Sequence, residues 1–360
     1  MQRAPFPLLP LQASLLLGAL GIVATACGGG SGASEPVDAE GVPLSWGLVE
    51  IGEEIASFPP FEGPPVLGRA RHLRLSGDAM LVGEAMDGRV HRFGLDGTHL
   101  GSFGRKGAGP GEFAQITDLH PWPDGTVWLI DRDNARWTHL AEDGQVLEER
   151  PSQGLGTRFH PLPDGSILLP GSDDAGSIHR VAGPGSAPPA WAPPESAQPD
   201  DMNAFMRRLV SVAMSHIVVS AGDAWVLAND TVFRVGGVGA STPAVGPPVQ
   251  GQPVFALPES MTAEIRARTD AAFPRGSTLF FSGMSAWQDR GVLVRSGTPA
   301  RTLGYAVEEA GDEGTRPRVT RLVWSPDRPR VGGVLDLHLR GDTLFVMTST
   351  DIRLFRVALP

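Results

Sequence analysis

One short pattern recurs six times along the chain: a tight turn followed at once by an apolar strand. The copies are SGDAMLV, PDGTVWLI, PDGSILLP, AGDAWVLA, QDRGVLVR and RGDTLFVM. Gly-Asp and Asp-Gly pairs supply the positive φ angles of a hairpin turn, and the apolar residues that follow indicate a half-buried strand. The pattern therefore predicts a series of antiparallel hairpins and argues against a mainly helical fold.

A second landmark follows these turns at a nearly constant distance. In every copy except the fifth, an apolar residue opens the segment VHRF, WTHL, IHRV, VFRV or LFRV, 10 to 14 residues after the turn. These residues are Val90, Trp137, Ile178, Val232 and Leu354. Each repeat is therefore predicted to be a meander of short antiparallel strands.

The spacing of the repeats separates two all-β architectures. Consecutive turns are 47, 40, 58, 67 and 52 residues apart, counted from Gly77, Asp124, Asp164, Gly222, Asp289 and Gly341. A four-stranded propeller blade takes about 40 to 50 residues. A β-sandwich, the alternative, also gives strands at short regular intervals. Six copies of a two-landmark pattern favour an all-β, six-bladed β-propeller of four-stranded antiparallel blades.

The two ends of the repeat array predict how the ring closes. The last repeat ends with DIRLFRVAL near the C-terminus and lacks a fourth strand. Residues 45–51, SWGLVEI, precede the first repeat and have no other partner. Because a strand added there would cover exposed sheet edges, we expect residues 45–51 to join the last blade and close a propeller that spans residues 45–360.

The stretch FGRKGAGPGEF at residues 103–113 has four glycines and a proline between two phenylalanines. Residues 89–113 resemble the NHL-type repeat and, more closely, bacterial six-bladed β-propeller lipoproteins. In that family, F-G-x-x-G-x-G-P-G-E-F joins the outer strand of one blade to the inner strand of the next. The resemblance covers roughly residues 46–358, and it implies that Asp131 and Asn134 form a turn between blade strands.

This loop is interpreted as structural. Glycine permits close approach and positive φ, and Phe103 and Phe113 are expected to pack between neighbouring sheets. A phosphate-binding loop needs a helix N-terminus after it, whereas here the strand QITDLH follows.

The N-terminus has the features of a lipoprotein signal. Arg3 precedes the apolar run LLLGALGIVATA, which is followed by Cys27, the only cysteine. The run is too short for a stable membrane span. VATACGGG resembles the lipobox of bacterial lipoproteins, with Ala24 where Leu or Val is commoner. Residues 1–26 are therefore predicted to be a signal peptide and Cys27 to be lipidated, with an ordinary signal peptide and an incidental cysteine as the alternative.

Lipidation of Cys27 would place the protein at the bacterial cell envelope. Residues 27–44 have linker composition and are expected to form a flexible tether. The lipoprotein resemblance implies the outer membrane, because Gly28 rather than Asp follows the cysteine. A net charge of −10 without a basic run argues against nucleic acid as a partner. We expect a monomer that contacts the membrane through its lipid anchor.

Two segments interrupt the repeats, at about residues 183–214 and 244–275. The second contains PESMTAEIRARTDAAF, which predicts a helix capped by Ser260. Met and Phe at helical spacing in the first indicate core packing or, alternatively, a cap that faces a ligand. Because long insertions are commonly functional, we expect them to contact an envelope protein, peptide or glycan, with Trp191, Phe205 and Met206 as candidate binding residues.

Little in the sequence points to catalysis. No G-x-S-x-G elbow occurs. His120 and His160 each lie four residues before the turn Asp of adjacent repeats, so both are expected near the propeller axis. They are weak candidates for a divalent-metal site, with Glu112 and Asp118 as the nearest carboxylates; the alternative is a structural His-Pro strand end. Three more histidines fall on predicted inner strands: His72, His216 and His338.

The sequence therefore favours a non-catalytic binding or scaffolding propeller, displayed as an envelope lipoprotein and without a cofactor. A metal-dependent hydrolase or lyase with its site at the channel is the alternative. Fold alone does not decide between them, since one fold hosts many functions.

Overall fold

A computed structural model describes residues 45–58, 70–85, 87–152, 158–171, 176–181, 215–228, 230–238, 249–259, 261–263, 281–297, 301–308, 317–327, 331, 333–349 and 351–359. These residues belong to one compact unit. Within it, six β-sheets form the blades of a propeller. The predicted all-β, six-bladed fold is thus confirmed.

The blades follow one another along the chain, each built from antiparallel strands ordered from the inner to the outer edge. The first contains β3 (Ala70–Ser76), β4 (Ala79–Glu84), β5 (Arg89–Gly94) and β6 (His99–Phe103). The second contains β9 (Ile116–Pro121), β10 (Val127–Asp131), β11 (Arg136–Leu140) and β12 (Val146–Pro151). The third contains β13 (His160–Pro161), β14 (Ile167–Pro170) and β15 (Ile178–Val181).

The remaining blades follow the same order. The fourth contains β16 (His216–Ser220), β17 (Asp223–Ala228), β18 (Thr231–Val235) and β19 (Gln252–Ala256). The fifth contains β20 (Phe281–Trp287), β21 (Gly291–Ser296), β22 (Thr302–Glu308) and β23 (Arg318–Trp324). The sixth contains β24 (Asp336–Arg340), β25 (Thr343–Met347), β26 (Ile352–Arg356) and, from the N-terminal side, β2 (Glu54–Phe58).

Three short strands lie outside this pattern: β1 (Gly47–Ile51), β7 (Arg105–Lys106) and β8 (Glu112–Phe113). Residues 259 and 261–263 are helical, within the segment where a helix was predicted. In the described part of the chain, no helix is long and apolar enough to cross a membrane.

As predicted, a strand from the N-terminal side joins the last blade and closes the ring, but it is not the predicted strand. β2 pairs with β26 and supplies the outer strand of the sixth blade. The expectation that residues 45–51 would do this is wrong, because β1 instead adds to the outer edge of the fifth blade, parallel to β23. The chain enters along the fifth blade and then passes to the sixth.

Adjacent blades are held together by apolar side chains between the sheets. Between the first and second blades, Leu81 and Val90 pack against Leu119 and Val127. Similar clusters join the fifth blade to the sixth and the sixth to the first. Burial of one such side chain contributes about 1.5–3 kcal/mol, so the inter-blade contacts are a main source of stability.

The loop at residues 103–113 is structural, as predicted. Phe113 is fully buried in the cluster between the first two blades, and Phe103 packs at its edge. Gly104 has a φ of 81°, and a β-carbon there would lie 2.6 Å from the Gly88 carbonyl oxygen. The Glu112 carboxylate closes the loop by accepting hydrogen bonds from the Ala108 and Gly109 amides and from Arg105.

The predicted turn at Asp131 and Asn134 holds this loop against the second blade. The Asp131 carboxylate accepts hydrogen bonds of 3.0 and 2.9 Å from the amides of Ala114 and Gln115. The Asn134 side-chain amide donates to the Gly107 carbonyl and to Asp131. Both residues therefore bind the backbone or each other.

Several predictions fall on residues that the structure does not describe. Residues 1–44, with Cys27, are among them, as is the first insertion with Trp191, Phe205 and Met206. Within the second insertion, Gln252–Ala256 forms β19, so this part of the range belongs to the fourth blade. Just before it, Val249 exchanges two backbone hydrogen bonds with Ile178, at the outer edge of β15.

Candidate functional site

The inner strands surround a central channel. β3 lies beside β9 and β24, β16 beside β13 and β20, and β20 beside β24. Because side chains two residues apart share one face of a strand, each blade contributes two such side chains. This spacing assigns six residues to the first level of the channel: His72, Asp118, Arg158, His216, Ser282 and Asp336. The second level consists of six residues that line one pocket: Arg74, His120, His160, Val218, Met284 and His338.

Arg74 links three blades at this site. Its guanidinium lies 2.6 Å from a carboxylate oxygen of Asp118 in the second blade and 2.8 Å from one of Asp336 in the sixth. The side chain of Asp118 is 2% exposed and that of Asp336 is 16% exposed. A buried carboxylate is tolerated when it is paired and hydrogen-bonded, and Arg74 supplies this partner to both.

Arg158 shows that these side chains meet at the centre of the ring. It precedes β13 in the third blade, and its Nη1 donates a 3.1 Å hydrogen bond to the carbonyl of Thr117 in the second. The same nitrogen lies 3.2 Å from Nδ1 of His72 in the first blade and 3.4 Å from Asp118. Contact between the first and third blades requires Arg158 to reach past the inner edge of the second.

The predicted histidine pair is brought together in the channel. The ring centroids of His120 and His160 are 5.0 Å apart, with nearly perpendicular planes. Nε2 of His120 lies 3.1 Å from an Asp118 carboxylate oxygen, whereas Nδ1 of His160 is buried and has no hydrogen-bond partner. Among the described residues, no group of three or more His, Cys, Asp and Glu is arranged to hold a metal ion.

The two carboxylates suggested by the sequence as metal ligands lie in different parts of the structure. Asp118 is in the channel, hydrogen-bonded to His120 and paired with Arg74. Glu112 binds Arg105 and two loop amides between the first and second blades, so its carboxylate is occupied outside the channel.

The channel environment disfavours charged histidine. Burial, together with the charge of Arg158, lowers the pKa of His72 to about 3. Burial also lowers the pKa of His338 to about 4 and holds the pKa values of His160 and His216 well below the usual range. These four imidazoles are therefore neutral at pH 7 and act as hydrogen-bonding groups rather than as cations.

The two channel carboxylates remain ionised for the opposite reason. Burial by itself raises the pKa of Asp118, but His120, Arg74 and Arg158 outweigh it and hold this pKa well below its usual range. For Asp336, burial is likewise outweighed, here by Arg74, His338 and Arg295, and the pKa is lowered. The channel thus combines fixed charges with neutral donors and acceptors.

A pocket of about 410 Å³ opens at the second level. Its lining includes polar side chains of three blades (Arg74, His120 and His160) and two apolar ones, Val218 and Met284. The ends of the inner hairpins, including Gly77, Gln288 and Arg340, form the rim. Pockets of about 300–1,000 Å³ with a mainly apolar wall and a few fixed polar groups suit small ligands or the end of a chain.

Sequence reasoning found the histidines of this site and missed the arginines. Arg74 and Arg158 each lie two residues from a histidine on an inner strand, and this spacing was a usable signal. Asp336 likewise lies two residues before His338. Arg295 gave no such signal, because it lies on β21, the second strand of its blade.

Comparison with known proteins gives the fold but no family. No protein-family model and no curated protein sequence matches the chain. Among solved structures, it is similar to a protein from Bacteroides fragilis described as an exported protein, with a TM-score of 0.51 and 12% identity over 87% of this chain and 99% of that one. It also aligns with a catalytically inactive virginiamycin B lyase from Staphylococcus aureus with quinupristin.

For the lyase, the TM-score is 0.47 and the identity 12%, over 82% of this chain and 83% of that one. The exported protein, at 12% identity, shows a shared fold and nothing about activity, and the lyase match adds no argument to it. The class defined by the fold and the channel is therefore a six-bladed β-propeller with a charged, histidine-lined centre.

Proposed function

We propose that this protein is a non-catalytic binding propeller of the bacterial cell envelope and that its ligand enters the channel. The observation that carries the proposal is the pocket, whose polar groups are already held in place. Arg74 is fixed by two carboxylates, and His120 is fixed by Asp118. A site that is ordered before the ligand arrives loses less conformational entropy on binding.

The chemistry of the pocket suggests a ligand with both polar and apolar parts. His160 lines the pocket, with its buried Nδ1 unpartnered in the described structure, and Val218 and Met284 provide an apolar wall. A peptide end or a glycan released in the envelope has this character. The insertions, with Trp191, Phe205 and Met206, are proposed as a second contact surface for a larger partner.

The binding proposal can be tested by native mass spectrometry of the purified protein with peptide and glycan fractions from bacterial envelopes. Met284→Trp fills the pocket, and His160→Leu removes a polar group without breaking any hydrogen bond of the described structure. We expect both variants to lose the ligand, while Leu147→Ala, at an exposed position, retains it. Full retention by both folded pocket variants would move the binding site away from the channel.

The proposed location rests on Cys27 and Gly28. Lipidation of Cys27 would anchor the propeller, as a monomer, at the outer membrane through residues 27–44. Replacing Cys27 with Ser is expected to shift the protein from the membrane fraction to the soluble fraction. Labelling with a radioactive fatty acid should be lost in the same variant, and a Cys27→Ser protein that still sediments with membranes would contradict the lipoprotein proposal.

A second function, hydrolysis or elimination at the channel, is favoured by one arrangement. His120 is oriented by Asp118 and lies beside His160, and an imidazole oriented by a carboxylate suits general-base chemistry. A divalent metal held by the two histidines would polarise the substrate. Elemental analysis of the wild type and of the His120→Ala, His160→Ala double variant tests this: no stoichiometric metal, or a metal content unchanged in the variant, would remove the metal-dependent enzyme. Substrate turnover that a single polar-to-Ala change abolishes would overturn the binding proposal.

A further inference from the structure

The first level of the channel is electrically divided. Its carboxylates, Asp118 and Asp336, belong to the second and sixth blades, and Arg74 between them pairs with both. The opposite half, formed by the third, fourth and fifth blades, contains Arg158, His216 and Arg295. Among the described residues, the 3.4 Å ion pair between Arg158 and Asp118 of the second blade is the one contact of these three residues with a carboxylate. Arg74 is thus matched by two carboxylates, whereas the two guanidiniums of the other half share this single contact, in a protein whose net charge is −10.

Arg295 reaches the channel because the inner strand has no side chain in its path. It lies on β21 opposite Gly283 of β20. A β-carbon at Gly283 would lie 3.3 Å from the guanidinium carbon of Arg295, so the guanidinium occupies the space that a side chain would fill. An arginine from the second strand of the blade thereby takes a place beside the first level.

Among the described residues, the guanidinium of Arg295 donates hydrogen bonds only to neutral oxygens. It donates to the Ser282 hydroxyl at 2.9 Å, to the Val334 carbonyl at 3.3 Å and to the Ser282 carbonyl. None of its described partners is a carboxylate. Burial lowers the pKa of Arg295 to about 10, with Arg158 adding to the shift and Asp336 opposing it, which places all three charges in one electrostatic neighbourhood.

Arg158 is also only weakly compensated. Its nearest carboxylate is Asp118, at 3.4 Å, and that oxygen already accepts from Arg74 at 2.6 Å. Only Nη1 of Arg158 donates within the described structure. The side chain is 20% exposed, so its remaining N–H groups are accessible from the channel. A partly buried guanidinium with free donors is a strong partner for a carboxylate or phosphate group.

His216 lies between the two arginines in the order of the blades. It is buried at the start of β16, and its pKa is held well below the usual range by burial and by the charges of Arg158 and Arg295. A neutral imidazole donates one hydrogen bond without adding to the repulsion between the arginines.

We propose that the half of the channel formed by Arg158, His216, Ser282 and Arg295 binds an oxyanion, a carboxylate or phosphate group carried by the ligand. This inference specifies one chemical group of the ligand. It rests on the proposed binding function for the rest of that ligand. The oxyanion bridges the two guanidiniums, whose forks match the two oxygens of such a group. The pocket at the second level then receives the less charged part of the same molecule.

The test measures the binding of simple anions to the full-length protein by isothermal titration and by thermal unfolding. The probes are acetate and citrate in one arm and inorganic phosphate in the other, each against sodium chloride at the same ionic strength. We expect saturable binding in at least one arm, with a rise in Tm that sodium chloride does not produce. Preference for citrate or for phosphate assigns the group.

Substitutions localise the site. Arg158→Met and Arg295→Met should each weaken binding of the effective anion by about tenfold or more, as loss of a charge-assisted hydrogen bond does. Arg356→Met, at an exposed pair with Asp342, should leave it unchanged. If Arg295→Met fails to fold, Arg295→Lys retains the charge but loses the fork, and a several-fold loss is expected.

The outcomes separate this inference from the binding function itself. If no anion binds saturably beyond the chloride control, or if the arginine variants bind as the wild type does, the oxyanion site is wrong. In that case, loss of envelope-ligand binding in Met284→Trp would still support the channel as the binding site. If the anion binds as expected but no pocket variant affects the ligand, the anion site stands and the proposed function fails.

Discussion

At Arg74, one guanidinium neutralises two buried carboxylates from different blades. Replacing it with Met preserves much of the volume but leaves Asp118 and Asp336 buried without their main counter-charge. Removal of one partner from a buried ion pair costs about 3–5 kcal/mol, so Arg74→Met should unfold at a clearly lower urea concentration at pH 7. Arg356→Met, in an exposed ion pair, should scarcely change the midpoint, and equal effects of the two substitutions would contradict this account.

The buried histidines make a prediction about pH. His338 has a pKa of about 4 in the folded protein, below the value of about 6.5 in the unfolded chain. Between these values the unfolded state binds more protons, so stability is complete above pH 6.5 and is lost as the pH falls towards 4. Asp118 and Asp336, whose pKa values are lowered, do not change protonation in the upper part of this window.

His338→Gln should therefore flatten the dependence of stability on pH. Each such histidine contributes a slope of up to about 1.4 kcal/mol per pH unit. Urea unfolding at pH 7, 6.5, 6, 5.5 and 5 gives this slope for the wild type and the variant. The difference in slope, rather than the absolute stability, is the informative quantity, and parallel curves would show that His338 titrates alike in both states.

At the scale of strands and loops, the sequence predicted which segments pair but not which side chains meet. The turns and the residues Val90 and Leu354 correctly located the second and third strands of their blades. His72, His216 and His338 lie five, six and three residues before their turn residues, against four for His120 and His160, because the inner hairpins differ in length. Across blades, His72 and Arg158 come together only through the curvature of the ring, which a local pattern does not contain.

The inter-blade loop gives a prediction at this scale. Phe113 is fully buried between the first two sheets, whereas Phe103 lies at the edge of the same cluster. Replacing a buried Phe with Ala typically costs about 3–5 kcal/mol, so Phe113→Ala should be strongly destabilising and Phe103→Ala less so. Urea unfolding of both variants makes the comparison, and an equal or reversed order would show that the loop does not anchor the blades through Phe113.

At the scale of the whole ring, β1 and β2 have different roles, although their patterns of exposed and partly buried residues are similar. β1 adds to β23, which is already an outer strand. β2 instead supplies the missing outer strand of the sixth blade, where Ala56 and Phe58 pack against the cluster shared with the first blade. Equivalent positions of the two strands are only seven residues apart, so composition alone did not reveal which one would close the ring.

Two truncations test this division of roles. A chain that begins at residue 53 lacks β1 and loses the buried Ile51 side chain, but its sixth blade keeps four strands. It should be less stable, by about 2–5 kcal/mol for the loss of that side chain, and remain monomeric. A chain that begins at residue 59 exposes β26 as a bare edge beside the apolar cluster, and such edges pair with other chains. Size-exclusion chromatography with light scattering should show self-association of the second truncation alone; a monomeric, cooperatively folding chain without β2 would show that inter-blade packing closes the ring without a strand from the N-terminus.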